Sequence, residues 1–164
     1  MLAQILTRLT PRMLVLLAAA SSGALLLGAL GFQAMGYAPC ALCMQQRWPH
    51  LAALVIGGLI ALRWLPLAPG ALAGALAALA TSGLGFYHSG VEKGIFEGPD
   101  TCTSNGVDGL SVEALIAQIE GAPLVRCDEI SWQIFGLTMA NLNALASLGL
   151  AAVWLWAALR ARAA

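Results

Sequence analysis

Long apolar runs without a charged residue alternate along the chain with short polar connections. Asp, Glu, Lys and Arg are absent from four stretches: 13–46, 48–62, 64–91 and 130–159. A membrane-spanning helix needs roughly 20 consecutive, mostly apolar residues. The pattern therefore predicts an all-α membrane protein built as a bundle of four transmembrane helices. We expect these helices at about 13–35, 42–64, 70–88 and 137–158.

Two connections between the predicted spans are expected to lie on one side of the membrane. The first, residues 36–41, is too short to fold alone, and the second, residues 89–136, is the one sizeable hydrophilic loop. Within it Ser111 is a suitable N-cap, and Glu113 stands where a helix dipole favours an acid. We expect a short helix here that lies flat on the membrane surface, with packing against the loop as the alternative.

The composition supports the membrane assignment. Sixty per cent of the 164 residues are hydrophobic, 10% are charged, and the mean hydropathy is +0.82. In a soluble domain about a quarter of the residues are charged. No internal repeat or low-complexity linker interrupts the chain, so residues 1–164 are expected to form a single domain. The first apolar run is longer than a signal-peptide core, which predicts a retained helix.

The placement of the charges predicts the orientation. All acidic residues fall in one segment, 92–129: Glu92, Glu97, Asp100, Asp108, Glu113, Glu120, Asp128 and Glu129. Basic residues flank the opposite ends of the spans: Arg8, Arg12, Arg63, Arg160 and Arg162. By the positive-inside rule both termini are cytoplasmic, and both loops face outward. The net charge of zero offers no basic surface for nucleic acid.

A Cys-x-x-Cys pair stands at the seam between the first two spans, in Pro39-Cys40-Ala41-Leu42-Cys43. The first turn of a helix presents both sulfurs on one side and lowers a thiol pKa. A purely structural disulfide is less favoured, because so short a ring constrains few unfolded conformations. At a membrane surface, the pair predicts redox chemistry with a lipid-soluble partner.

The other two cysteines, Cys102 and Cys127, lie in the long outward loop. In an oxidising compartment disulfides persist, and the expected grouping is Cys40 with Cys43 and Cys102 with Cys127. For the second pair, a stabilising loop disulfide and a redox role both remain open. A four-cysteine zinc site is less favoured, because this pair lacks the close spacing of zinc ligands.

Arg47 and His88 are the candidate ligand-binding residues. Arg47 is the sole charge between Met13 and Leu62, and a charge in lipid is costly unless it is paired or reaches the interface. It either snorkels to the surface or, one turn after Cys43, stabilises a Cys43 thiolate and donates to a carbonyl ligand. His88 ends the third span, where it either donates to a quinone oxygen or relays a proton, or is only an interfacial polar residue. His50 has a weaker claim, and Asn141 and Asn143 are expected to hydrogen-bond between helices.

Taken together, these residues resemble the disulfide bond formation protein B family, inner-membrane thiol–quinone oxidoreductases of Gram-negative bacteria. The resemblance rests on Pro-Cys-Ala-Leu-Cys with Arg47 after it and on the pair Cys102 and Cys127. It also includes the Cys-Asp-Glu-Ile-Ser-Trp-Gln-Ile-Phe-Gly-Leu run and the four-helix layout. It covers essentially the whole chain.

The resemblance implies an electron path. The reduced form of a periplasmic DsbA-like thiol oxidase attacks the Cys102–Cys127 disulfide, with Cys102 forming the mixed disulfide. Electrons then pass to Cys40 and Cys43, and from Cys43 to ubiquinone (or menaquinone) of the membrane quinone pool. Arg47 and His88 are the implied quinone-binding residues, no metal is implied, and the location is the bacterial inner membrane.

Two other functions compete with this enzyme. One is a relative that runs the exchange in reverse or serves a dedicated client, because thiol exchange is reversible. The other is a non-catalytic membrane subunit whose cysteines form structural disulfides or bind a metal.

Overall fold

The structure, a computed structural model, describes residues 9–99, 111–121 and 125–163. These residues form five helices and one small hairpin: α1 (Pro11–Ala34), α2 (Ala41–Ala61), α3 (Leu67–Glu92), α4 (Val112–Gly121), β1 (Gln133–Ile134), β2 (Leu137–Thr138) and α5 (Met139–Arg162). The four long helices pack into a bundle in which α3 lies between α2 and α5, and α1 contacts α2 and α5. The mostly helical fold expected from the sequence is confirmed.

Three of the long helices, α1, α3 and α5, are long and apolar enough to cross a membrane. They match the first, third and fourth predicted spans to within about four residues at each end, and a multi-pass membrane protein follows. α2 contains Gln45, Gln46, Arg47 and His50 within its 21 residues, which lowers its hydropathy. That α2 also spans the membrane, making four crossings, stays a prediction.

Side-chain caps explain where the helices begin. Thr10 caps α1, since its Oγ1 accepts a hydrogen bond from the Met13 amide at 3.3 Å, and Pro11 occupies the first turn where proline is tolerated. α5 begins with a capping box, in which Thr138 and Asn141 each accept from the other's backbone amide.

The core of the bundle relies on small residues that let helices approach closely. The buried Trp154 of α5 packs against Gly74 of α3, where an added Cβ would lie 2.5 Å from the indole ring. Gly57 of α2 meets Ala19 of α1 in the same way, with 2.2 Å between an added Cβ and the Ala19 Cβ. Gly74 and Gly57 therefore mark close contacts between helices.

The long loop contains structure that positions the site. β1 and β2 pair in antiparallel register, Gln133 with Thr138 and Ile134 with Leu137. Phe135 and Gly136 join them with φ of 49° and 77°, the positive values that a tight hairpin turn requires. α4 begins as expected, because Ser111 Oγ accepts from the Ala114 amide at 3.2 Å. Its position on the membrane surface stays a prediction.

Candidate redox centre

The two cysteines of the Cys-x-x-Cys pair meet at the start of α2. Cys40 is the N-cap, and its Sγ accepts a hydrogen bond from the Cys43 amide at 3.3 Å. The sulfur atoms of Cys40 and Cys43 are 3.0 Å apart, and both cysteines are free thiols. The sequence predicted this helix start near Leu42, and the pair lies within hydrogen-bonding distance, as dithiol chemistry requires.

The electrostatics of the pair favour a thiolate at Cys40. Its pKa falls to about 4, first because the Cys43 thiol donates a hydrogen bond to it, while burial opposes the shift. His88 and the Cys43 amide lower this pKa further. The sequence suggested a thiolate at Cys43 next to Arg47. The structure instead gives the more acidic thiol to Cys40, because the N-cap position directs backbone and side-chain donors at its sulfur.

His88 completes this cluster from α3. It is only 4% exposed, and its Nε2 lies 3.5 Å from Cys40 Sγ. Its Nδ1 lies 3.0 Å from the Nε2 of Gln46 on α2. His88 is therefore buried against the cysteine pair and is not an exposed residue of the membrane interface, and its role toward a quinone stays a prediction.

Cys127 brings the second loop onto the same spot. It is fully buried and disulfide-bonded, and it packs in one apolar cluster with Cys40, Leu42 and Val91. Cys102 lies outside the described residues, so the pairing of Cys102 with Cys127 stays a prediction. The structure nevertheless brings the two cysteine-bearing segments together, which their separation in sequence does not require.

Arg47 is placed on a different side of α2. It follows Cys43 by one turn, as expected, but its Nη1 donates to Gln33 Oε1 at 2.9 Å near the end of α1. Its guanidinium is therefore held at the α1–α2 side, whereas His88 approaches the sulfurs from α3. Both interpretations of Arg47, anchor and ligand-binding residue, are compatible with this position.

A pocket opens over the sulfurs at this end of the bundle. It is lined by Cys40, Cys43, His88, Glu92, Arg126, Glu129, Ser131, Trp132 and Met139. The Trp132 ring also contacts Phe32 of α1, with 5.3 Å between ring centroids.

Glu92 and Trp132 were not singled out from the sequence. Glu92 is the first acid after a charge-free run, and it accepts a hydrogen bond from Thr138 Oγ1 at 2.6 Å.

The same cluster has the composition of a metal site. The ligand atoms of Cys40, Cys43 and His88 all lie within 4.8 Å of one another. This set differs from the four-cysteine site considered from the sequence, because it takes its third ligand from α3.

Buried amides link the cluster to the interior of the bundle. Asn143 of α5 donates from its Nδ2 to Gln46 Oε1 at 2.7 Å, and Asn141 donates to Ser89 of α3. These contacts confirm the expected hydrogen bonds between helices. Gln46 was not singled out from the sequence, and the only signal was a polar residue one turn after Cys43 in an apolar helix.

Comparison with known proteins gives two matches. The profile of the family described as "Disulfide bond formation protein DsbB" matches residues 11–157. A relative from Rickettsia prowazekii (strain Madrid E), "Uncharacterized protein RP370", is 32% identical over 115 residues, which are 68% of this chain and 66% of the relative. The matched part is thus just under two thirds of that relative's length. No solved structure matches the chain.

Proposed function

Because the chain belongs to the DsbB family of disulfide bond formation proteins, we propose that it is a membrane thiol–quinone oxidoreductase. It oxidises the dithiol of a periplasmic DsbA-like protein and passes the electrons to ubiquinone or menaquinone. Its site lies at the outer face of the bacterial inner membrane, with both termini in the cytoplasm. Orientation rests on the basic residues at the opposite ends of the spans.

One observation carries this proposal: Cys127 of the second loop is buried in one apolar cluster with Cys40, which starts α2 and lies beside His88. A relay between two disulfides needs its sulfurs to come within reach of one another. A structural disulfide in the loop has no need of a reactive dithiol beneath it. The shared buried cluster therefore supports electron transfer between the pairs.

The first step is thiol–disulfide exchange with the partner. A thiolate of the reduced partner attacks Cys102, a mixed disulfide forms, and Cys127 leaves as a thiolate. The partner's second thiol then resolves the mixed disulfide, so the partner is oxidised by two electrons and the Cys102–Cys127 pair is reduced. Attack requires access to the target sulfur, and Cys127 is fully buried, so Cys102 is proposed as the sulfur that the partner attacks.

The second step returns the loop pair to its disulfide. A loop thiolate attacks the Cys40–Cys43 disulfide, the loop disulfide reforms, and Cys40 and Cys43 become a dithiol. Cys40 leaves well as a thiolate, because a leaving thiol of low pKa departs faster. The dithiol then gives two electrons and two protons to the quinone through Cys43, and the Cys40–Cys43 disulfide reforms.

The residues around the sulfurs fit a quinone. When bound, a quinone accepts the two electrons and two protons and carries them into the membrane pool. Trp132 and Met139 supply apolar surface in the pocket, and His88 supplies a polar ring against the sulfurs. Arg47 is not among the residues that line this pocket and lies on the α1–α2 side, where its guanidinium keeps donors beyond the one bonded to Gln33 that would suit a carbonyl oxygen.

The energetics require such an acceptor. A DsbA-type oxidase has a reduction potential E°′ of about −120 mV, and 30 mV corresponds to about 1.4 kcal/mol for a two-electron couple. The free-energy change for reoxidising this partner with a protein disulfide alone is therefore close to zero or unfavourable. A quinone kept oxidised by respiration makes the overall transfer favourable.

Anaerobic quinone reduction by the purified, detergent-solubilised protein tests the proposal, with a reduced DsbA-type protein as donor. We expect donor thiols to disappear in step with quinol formation, and Cys43→Ser to abolish quinol formation while the protein still inserts in membranes. Normal turnover in Cys43→Ser would remove Cys43 as the quinone-facing thiol. No quinol formation by the native protein would overturn the enzymatic assignment.

A second candidate function, metal binding by the reduced centre, is favoured by the Cys40, Cys43 and His88 set. The 3.5 Å between Cys40 Sγ and His88 Nε2 matches the separation of about 3.6 Å between two ligands on tetrahedral zinc. The sulfurs, 3.0 Å apart, must separate to about 3.8 Å. Titration of the reduced protein with Co²⁺ tests this function, since a thiolate-to-metal absorption band that vanishes in His88→Asn supports it. Absence of the band leaves only the redox function.

A further inference from the structure

A chain of buried side-chain hydrogen bonds runs from His88 through three helices. His88 Nδ1 contacts Gln46 Nε2 at 3.0 Å, Gln46 Oε1 contacts Asn143 Nδ2 at 2.7 Å, and Asn143 Oδ1 contacts His50 Nε2 at 2.8 Å. Gln46 and both histidines are buried. In an apolar bundle each of these groups needs a partner of the correct polarity.

The orientation of the Gln46 amide is determined by two neighbours. Its Nε2 also lies 3.1 Å from the Leu42 carbonyl oxygen, which can only accept. Its other end faces Asn143 Nδ2, which donates. If the amide were reversed, its oxygen would face the Leu42 carbonyl oxygen, which is also an acceptor, and its NH₂ group would face Asn143 Nδ2, which is also a donor. The NH₂ group must therefore point at Leu42 and His88.

The Asn143 amide is oriented independently. Its Nδ2 lies 3.2 Å from Thr81 Oγ1, and the Thr81 hydroxyl donates its proton to the backbone carbonyl oxygen of Gln46 at 3.1 Å. Thr81 must therefore accept from Asn143, which makes this atom the NH₂ group of Asn143. The Asn143 assignment confirms that Gln46 presents Oε1 to α5 and NH₂ to His88.

The consequence falls on the imidazole ring of His88. Because Gln46 donates to Nδ1, this nitrogen carries a lone pair, and in the neutral ring the proton is on Nε2. Nε2 is the nitrogen that faces Cys40 Sγ. We propose that Gln46 is a positioning residue that holds His88 in the Nε2–H tautomer, so that the ring donates a hydrogen bond to the Cys40 thiolate.

The role of this hydrogen bond in thiol exchange rests on the proposed function, whereas the tautomer itself rests on the hydrogen-bond geometry. The donated hydrogen bond stabilises the Cys40 thiolate, which leaves and attacks during exchange with the loop pair. The opposite tautomer would turn a lone pair toward the sulfur and remove this stabilisation. The other titratable groups around the ring and Cys40 are Cys43, Glu92, Arg126 and Glu129, which line the same pocket.

The tautomer can be measured directly, without any turnover assay. The chain has two histidines, so ¹⁵N-histidine labelling gives only two ring patterns in long-range ¹H–¹⁵N spectra, which His50→Asn assigns. We expect a protonated Nε2 and an unprotonated Nδ1 for His88 in the reduced native protein at a pH where the ring is neutral. Gln46→Glu, which has the same shape but only acceptors, should place a proton on Nδ1. The exposed neighbour provides the control, as Gln45→Glu should leave the pattern unchanged.

Reactivity of Cys40 gives a second readout. In Gln46→Met, which keeps length and volume but has no amide, we expect iodoacetamide labelling of Cys40 at pH 4, close to its native midpoint, to slow by about 2- to 5-fold. Its pH midpoint should move upward by about 0.5 to 1 unit, whereas Gln45→Met stays at the native values. Labelling is read at Cys40 by peptide mass spectrometry.

The inference is overturned if the native His88 carries its proton on Nδ1, or if Gln46→Glu and Gln46→Met change neither readout. Loss of quinone reduction by the native protein would overturn the proposed function and leave the tautomer result standing. The two failures are therefore distinguishable.

Discussion

Cys40 and His88 are 48 residues apart in the chain, yet Cys40 Sγ and His88 Nε2 lie 3.5 Å from each other. The contact joins the N-terminus of α2 to the C-terminal end of α3. It places a hydrogen-bond donor against the more acidic of the two thiols. Most of the chemistry expected of this protein depends on this pair.

The pH dependence of Cys40 follows from its pKa of about 4, against about 8.5 for an ordinary thiol. Labelling of Cys40 in the reduced protein should therefore stay level from pH 8 to about pH 5 and fall as the pH approaches 4. The folded-state pKa lies below the unfolded one, so ionisation stabilises the reduced fold above the unfolded pKa, and this contribution disappears as pH falls toward 4. Site-resolved mass spectrometry after timed alkylation measures the profile.

Replacing His88 should move that profile. His88→Asn removes the ring that faces Cys40, so we expect the midpoint of Cys40 labelling to rise by about 1 unit and quinone reduction to slow about 10-fold. Tyr87→Phe, a change in the adjacent residue, serves as the control. An unchanged midpoint in His88→Asn would mean that His88 does not act on Cys40.

Arg47 is expected to act on the quinone rather than on the thiols. Because its guanidinium has donors in addition to the one that binds Gln33, Arg47→Gln should raise the apparent KM for quinone by about 5-fold or more. The rate of thiol exchange with the protein partner should change by less than 2-fold. Arg63→Gln, at the opposite end of α2, is the matched control. Native quinone kinetics in Arg47→Gln would reduce Arg47 to an interfacial anchor.

The contact of Gly74 with Trp154 predicts a difference in stability within α3. Gly74→Ala forces a Cβ to within 2.5 Å of the indole ring, so we expect a loss of about 1–3 kcal/mol in the free energy of unfolding. Gly83→Ala on the same helix meets no atom within 4 Å and should be neutral or slightly stabilising, since Ala favours helix. Thermal unfolding in detergent compares the two, and equal stabilities would contradict the packing described here.

The hydroxyl of Thr138 joins the hairpin, α5 and α3. It accepts from the Asn141 amide and donates to Glu92 Oε2 at 2.6 Å. Thr138→Val should cost about 1–2 kcal/mol, because the cap is lost and Glu92 loses a buried partner. Thr138→Ser keeps the hydroxyl and should recover most of that loss. If both variants unfold like the native protein, the cap contributes nothing to stability.

The sequence by itself determined the long helices and placed the Cys-x-x-Cys pair at the start of one of them. Apolar runs of about 20 residues can only be satisfied as helices in lipid, so their limits could be placed to within a few residues. The start of α2 at Ala41 follows from the same local reasoning. The spacing of a cysteine pair at a helix start places both sulfurs on one side of the first turn, and this spacing is also local information.

Tertiary structure alone decided which residues meet. The sequence left the roles of His88 and Arg47 open and did not single out Gln46, because each depends on how α2, α3 and α5 are rotated. Helices with nearly uniform apolar surfaces do not reveal that rotation. Here it is set by close contacts such as Gly74 with Trp154 and by the pairing of buried amides. Those contacts bring Cys40, His88 and Cys127 to one place.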